Sequence, residues 1–67
     1  MYKNLRAEIA RADLSVASLA KKCGMTRGTL YSRIEGRTPF SLDEAHRIKR
    51  ALGVELTLEE LFMKKED

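Results

Sequence analysis

Apolar residues return along this chain at intervals of three and four rather than two, and that period divides it into short helices. Leu5, Ile9 and Ala12 mark one stripe between Tyr2 and Ala12. Val16, Leu19, Ala20 and Cys23 follow at i, i+3, i+4 and i+7, a continuous apolar face on a second helix. Leu30 and Ile34 share a face on a third. Leu42, Ala45, Ile48 and Leu52 form the inner side of a fourth, and Leu58, Leu61 and Phe62 line a short fifth. No segment alternates apolar and polar residues between glycine-containing hairpin turns, so no sheet is expected.

The residues between these stripes act as stops and starts. Asp13-Leu14-Ser15 interrupts the first helix, and the Ser15 hydroxyl can cap the second. Gly24 follows Cys23, where a left-handed residue ends a helix. Met25 then turns the chain back toward the core, and Thr26 can cap the third helix, which Gly36 closes. Arg37-Thr38-Pro39 is a turn. Ser41-Leu42-Asp43-Glu44 reads as a capping box, Gly53 as the next stop, and Thr57-Leu58-Glu59-Glu60 as a second box, with Leu56 and Leu61 stapled across it. The expected architecture is all-α: five short helices in one compact domain over residues 1–67.

Sixty-seven residues suffice for one hydrophobic core, and 43% apolar with 34% charged residues fits a folded helical chain. No apolar run approaches the ~20 residues of a membrane span. The opening Met-Tyr-Lys-Asn-Leu-Arg-Ala-Glu carries charge where a signal peptide needs its hydrophobic stretch, so a cytoplasmic protein is expected. Cys23 and His46 are each the sole residue of their kind, which excludes an internal disulfide and a cysteine-clustered metal site. They leave no catalytic constellation to assemble, so no enzymatic activity, cofactor, metal or small-molecule ligand is expected. Cys23 reads as a small core residue, His46 as a surface residue, and Met25, Phe40 and Phe62 as core. Glu35, at the end of the third helix, is placed to pair with a nearby Arg.

Charge is distributed unevenly within a net +3. Residues 1–37 carry eight Lys or Arg against three acids, whereas residues 38–67 carry five against seven. The first part can therefore face a polyanion. It contains the most informative unit, a helix, a glycine turn and a helix over about residues 15–35. Ala20 is small where a second helix must cross closely, Gly24 permits the tight turn, and Leu30 and Ile34 pin the third helix from one side. That leaves the third helix's outer face and N-terminus presented by a packed scaffold, a shape that fits the roughly 12 Å wide major groove of B-DNA. At about 100° per residue, Gly28 and Ser32 point away from Leu30 and Ile34, while Arg27 lies to one side in the first turn.

The run Leu14-Ser15-Val16-Ala17-Ser18-Leu19-Ala20-Lys21-Lys22-Cys23-Gly24-Met25-Thr26-Arg27-Gly28-Thr29-Leu30, with Gly36-Arg37-Thr38-Pro39-Phe40-Ser41-Leu42-Asp43-Glu44-Ala45 and the closing Leu52-Gly53-Val54 and Leu58-Glu59-Glu60-Leu61-Phe62, resembles the Cro/cI-like (XRE-type) helix-turn-helix family of phage and bacterial repressors. The resemblance covers about residues 2–62 and implies a lambda-repressor-like fold. By position it places Arg27, Gly28 and Ser32 against base edges, with Thr26 at the head of the reading helix. Thr29 can add a methyl to thymine or a hydroxyl to a base. Tyr31 and Arg33 flank the exposed face and would meet phosphates. The free amides after Ser15, beginning at Val16, would hold a phosphate, and Arg37 and Thr38 occupy the family's second backbone-contact region. Lys3, Arg6 and Arg11 are further backbone candidates. The sequence departs from the family's pattern where Val16 replaces a usual Gln, where Gly28 carries no side chain, and where Arg33 stands at a commonly apolar position.

The implied function is a sequence-specific double-stranded DNA-binding transcriptional regulator, a repressor of phage or prophage type. A lone reading helix covers few base pairs, so a homodimer on a palindrome with half-sites ~34 Å apart is expected. Val54, Leu56, Leu58 and Phe62 are candidates for its dimer surface. The alternative is a protein-binding helical adaptor, or an antitoxin-like module, that has kept the fold.

Overall fold

The computed structural model describes residues 2–64. Five helices follow one another: α1 (Lys3–Arg11), α2 (Val16–Cys23), α3 (Arg27–Ile34), α4 (Leu42–Leu52) and α5 (Leu58–Leu61). No strand occurs among the described residues. Helix α2 lies at the centre, packed on both α3 and α4, while α5 closes against α4 and α1. None of these helices is long and apolar enough to cross a membrane.

The stripes read from the sequence build the core. Leu5, Leu19, Leu30, Ile48 and Leu61, one from each helix, are fully buried. Ile9, Ala20, Cys23 and Ile34 pack around them. Burying a leucine or isoleucine contributes roughly 1.5–3 kcal/mol, so this quintet carries much of the folding free energy. Tyr2 also joins the core, although it precedes the first helical turn. Its ring meets Phe40 at 5.3 Å and Phe62 at 6.0 Å, and those two meet at 4.9 Å, all edge to face. This aromatic triad ties the N-terminus to the α3–α4 loop and to the end of α5.

Two expected core positions lie at the surface. Ala12 is exposed just past Arg11, the last residue of α1. Leu42 is 69% exposed. On α4 it lies about 90° around the axis from the mean direction of Ala45, Ile48 and Leu52, so it borders the core instead of entering it.

Local signals set the ends. Ser15, Thr26, Ser41 and Thr57 each accept a hydrogen bond from the backbone amide three residues on. Both expected capping boxes close, through Glu44 and Glu60. Thr26 therefore caps α3, whose first helical residue is Arg27. At Gly24 the backbone is left-handed, φ +70°, and the Met25 amide donates to the Ala20 carbonyl at 2.9 Å. This six-to-one closure turns the chain sharply enough to bring α3 across α2. Asp13, φ +57°, performs the same turn after α1 without a glycine, with the Leu14 amide donating to Ile9 at 3.2 Å. Aspartate tolerates this conformation better than most residues.

Candidate nucleic-acid interface

With Leu30 and Ile34 buried, the rest of α3 forms a ridge. Arg27 and Gly28 are exposed, Thr29 and Ser32 half-exposed, and Tyr31 is 43% exposed. Arg27, Gly28, Thr29 and Ser32 thus share one surface at the outer, N-terminal part of the helix. Thr29 is held there: its amide donates to the Thr26 hydroxyl at 3.1 Å, and the Thr26 hydroxyl donates to Thr29 Oγ1 at 2.8 Å. Gly28 has no neighbouring atom within 4 Å of where a Cβ would stand. Glycine here leaves open space on the surface; it does not serve internal packing.

The starts of α2 and α3 share an electrostatic feature. Neither α2 nor α3 has an acidic residue in its first turn. No carboxylate in either first turn therefore offsets the positive end of the helix dipole. Arg27 adds a full positive charge at the head of α3, in none of the ion pairs among the described residues. A cation there opposes the dipole by about 0.3–1 kcal/mol, so its position brings no gain to the isolated fold. An anion bound at this end would reverse that cost.

The candidate backbone contacts divide. Ser15 is exposed and fixed by Ser18, whose amide and hydroxyl lie 3.1 and 3.0 Å from Ser15 Oγ. Val16 is half-buried and packs on the core. Its side chain, with Leu14, Tyr31 and Ile34, lines a shallow apolar cleft of about 240 Å³, so its amide is the only polar group it offers. Arg37 and Thr38 are exposed in the loop after α3. That loop starts from a left-handed Gly36 and an Arg37 amide donating to Ser32 at 3.0 Å. Among the α1 candidates, Arg6 pairs with Glu35 and Arg11 with Glu8, while Lys3 is exposed.

Arg33 is engaged elsewhere. Its Nε donates to Glu44 Oε1 at 2.8 Å and its Nη1 to the Thr29 carbonyl at 3.4 Å. The two side chains are only 22% and 17% exposed. The same Glu44 oxygen accepts the Ser41 amide at 2.9 Å. That amide bond, opposed by burial and helped by the Arg33 hydrogen bond and charge, holds the Glu44 carboxyl below the ordinary carboxylate range. Sequence reading finds Glu44 as a cap but not as the partner of Arg33. The available signal is an arginine at a commonly apolar position facing a capping glutamate beyond the loop.

The remaining candidates are structural. Cys23 is buried, and burial pushes its thiol up against a smaller opposing effect of Arg47. His46 is exposed. No group of three metal-ligating side chains occurs among the described residues. Val54, Leu56, Leu58 and Phe62 are all half-buried, the first two and Phe62 packed against the core. Leu42 and Met63 are the large apolar residues left most exposed on the α4–α5 side.

No solved structure matches this chain. A protein of Methanothermobacter thermautotrophicus (strain Delta H), named as an uncharacterized HTH-type transcriptional regulator, is 44% identical over 63 residues, spanning 94% of this chain and 90% of its own. The family model described as helix-turn-helix matches residues 5–58, from the first buried residue of α1 to the first residue of α5. The match takes in α2, the Gly24 turn and the exposed ridge of α3, and the chain accordingly belongs to the XRE-type helix-turn-helix family.

Proposed function

We propose that this protein is a sequence-specific double-stranded DNA-binding regulator of transcription, a repressor of phage or prophage type that reads the major groove with α3. The observation that carries the reading is Arg27, in no ion pair among the described residues, at the acid-free and exposed start of α3. Arg27 pairs with guanine O6 and N7, a contact worth about 1–3 kcal/mol of discrimination. Gly28, Thr29 and Ser32 complete the reading surface. The amides after Ser15 and at Val16, the head of α3 at Thr26, and Tyr31, Arg37 and Thr38 hold the phosphates. A domain seated this way excludes other proteins from the same base pairs, which is repression in its simplest form.

The protein acts in the cytoplasm as a homodimer on a palindrome. Support for a protein contact comes from the exposed Leu42, which lines a groove with the aromatic triad, and from the exposed Met63. Selection of bound sites from random duplexes, followed by titration at several salt concentrations, tests the proposal. A palindromic consensus and a log–log salt slope of roughly −4 to −5 are expected for about five neutralised phosphates. Arg27→Ala should relax preference at one base pair, while Arg37→Ala weakens all duplexes evenly. Absence of duplex binding at low salt would favour an adaptor that has kept the fold.

A further inference from the structure

Arg33 stands on the proposed reading helix, yet its charge is used inside the molecule. Its Nε lies 2.8 Å from Glu44 Oε1, and the residues are eleven positions apart, one on each side of the α3–α4 loop. The carboxylate oxygen that receives Arg33 also receives the Ser41 amide at 2.9 Å. One oxygen atom therefore closes the cap of α4 and ties that cap to α3. Arg33 Nη1 also reaches the Thr29 carbonyl, so the guanidinium spans from the first half of α3 to the first turn of α4. Between these anchors lie Arg37 and Thr38, both exposed and in none of the side-chain hydrogen bonds among the described residues.

We propose that Arg33 is a positioning residue: bridged to Glu44 across the α3–α4 loop, it sets where Arg37 and Thr38 meet phosphate, and does not touch phosphate itself. The inference rests on the DNA-binding reading and deepens it. A guanidinium with little exposed surface, its Nε on a carboxylate and its Nη1 on a backbone carbonyl, has most of its donors already committed within the fold. Reaching a phosphate would require it to abandon Glu44 and leave a half-buried carboxylate with one partner fewer. The bridge joins two elements that packing on α2 already places, so its added effect falls on the segment between them. Arg6 and Glu35 form a comparable tie from α1 to the end of α3, but that pair meets the loop at one end only.

Salt-resolved binding of four proteins decides the matter: wild type, Arg33→Met, Glu44→Gln and the double variant. Positioning predicts that each single variant weakens every duplex by about three- to tenfold, and that the double variant is no weaker than either single. The salt slope should remain that of wild type, because no phosphate contact is removed. If Arg33→Met instead lowers the slope by about one while Glu44→Gln leaves or improves affinity, Arg33 is a phosphate contact and the proposal fails. Amide exchange of residues 36–38 and 40, measured without DNA, provides the independent arm. Coupled loosening of the loop by the 33 and 44 variants supports the bridge even if wild type binds no duplex, the result that would overturn the DNA reading alone. An unchanged loop in all variants overturns the inference.

Discussion

Helices α2 and α3 begin almost as α4 and α5 do, and the small difference separates the two halves of the molecule. All four are capped by a Ser or Thr hydroxyl bonded to the third amide of the helix. In α4 and α5 that third residue is Glu44 or Glu60, which reaches back to complete a capping box. In α2 and α3 the same place is held by Ser18 or Thr29, which bonds only to the capping hydroxyl. The first pair neutralises its own helix dipoles; the second leaves them open. A chain optimised for stability alone would use the glutamate four times. Its omission at these two starts, with Arg27 at one of them, leaves both helix heads open to an external anion.

Making the two starts alike should have the largest effect. Thr29→Glu converts the head of α3 into a capping box and supplies the missing anion. Fold stability should stay level or rise by several tenths of a kcal/mol. Duplex affinity should fall at least about 100-fold, since like charges brought together cost several kcal/mol. Denaturant titration and binding isotherms on the same preparation measure the two opposite signs. Retained binding would remove the head of α3 from the interface. Ser18→Glu should behave similarly but less severely, since α2 is proposed to meet a phosphate and no base.

Removing caps sharpens the contrast next. Thr26→Ala and Thr57→Ala should each cost about 0.5–2 kcal/mol of stability, the usual loss for a helix cap. Only Thr26→Ala should also weaken DNA binding in conditions where both variants remain folded, because the Thr26 hydroxyl fixes Thr29. Equal binding losses would mean that the two halves are not functionally distinct.

The same contrast explains what could be read without coordinates. Caps, boxes and stop glycines are local, and each was legible from a few consecutive residues. The stripes of α2 and α3 were legible because both flanks of the turn are pinned by buried residues. Periodicity gives an angle around a helix but not what packs against its end, so Ala12 is exposed although it shares the stripe; for Leu42 the angle itself, about 90° from the other three, already points to the rim of the core. Tyr2 was hidden because its burial depends on Phe40 and Phe62, far along the chain. Glu35 was legible as a partner for some arginine, whereas its choice of Arg6, 29 positions away, required the fold. Arg33 was hidden most fully: its place flanking the exposed face suggests an outward role, and its partner lies beyond a loop.

Gly28 tests whether open space on α3 is used. An added Cβ meets nothing within 4 Å, so Gly28→Ala should stabilise the fold by up to about 1 kcal/mol through helix propensity. If the glycine admits the helix backbone close to DNA, affinity should fall in the same variant by a few-fold. A protein both more stable and equally tight would show that the missing side chain serves nothing at the interface. Thermal melts and binding to the selected duplex distinguish the outcomes.

The smallest effect is a difference in how the two kinds of helix start respond to acid. Hydrogen bonds to Glu44 and Glu60, in each case chiefly from a backbone amide, hold both carboxyls below their ordinary value of 4.5. Their contribution to stability is therefore complete above that value and is lost as pH falls through the lower folded values. The caps of α2 and α3 are hydroxyls and do not titrate. Lowering the pH from neutrality should first move the amide resonances of Ser41 and Thr57, whose acceptors become protonated, while those of Ser18 and Thr29 stay in place. Glu44→Gln should flatten the acid limb of the stability curve and abolish the Ser41 response without touching Thr57. Simultaneous movement of all four amides would mean that acid unfolds the domain as one unit before either box opens, and the division between self-neutralised and open helix starts would then be one of charge only, with no separate local stability behind it.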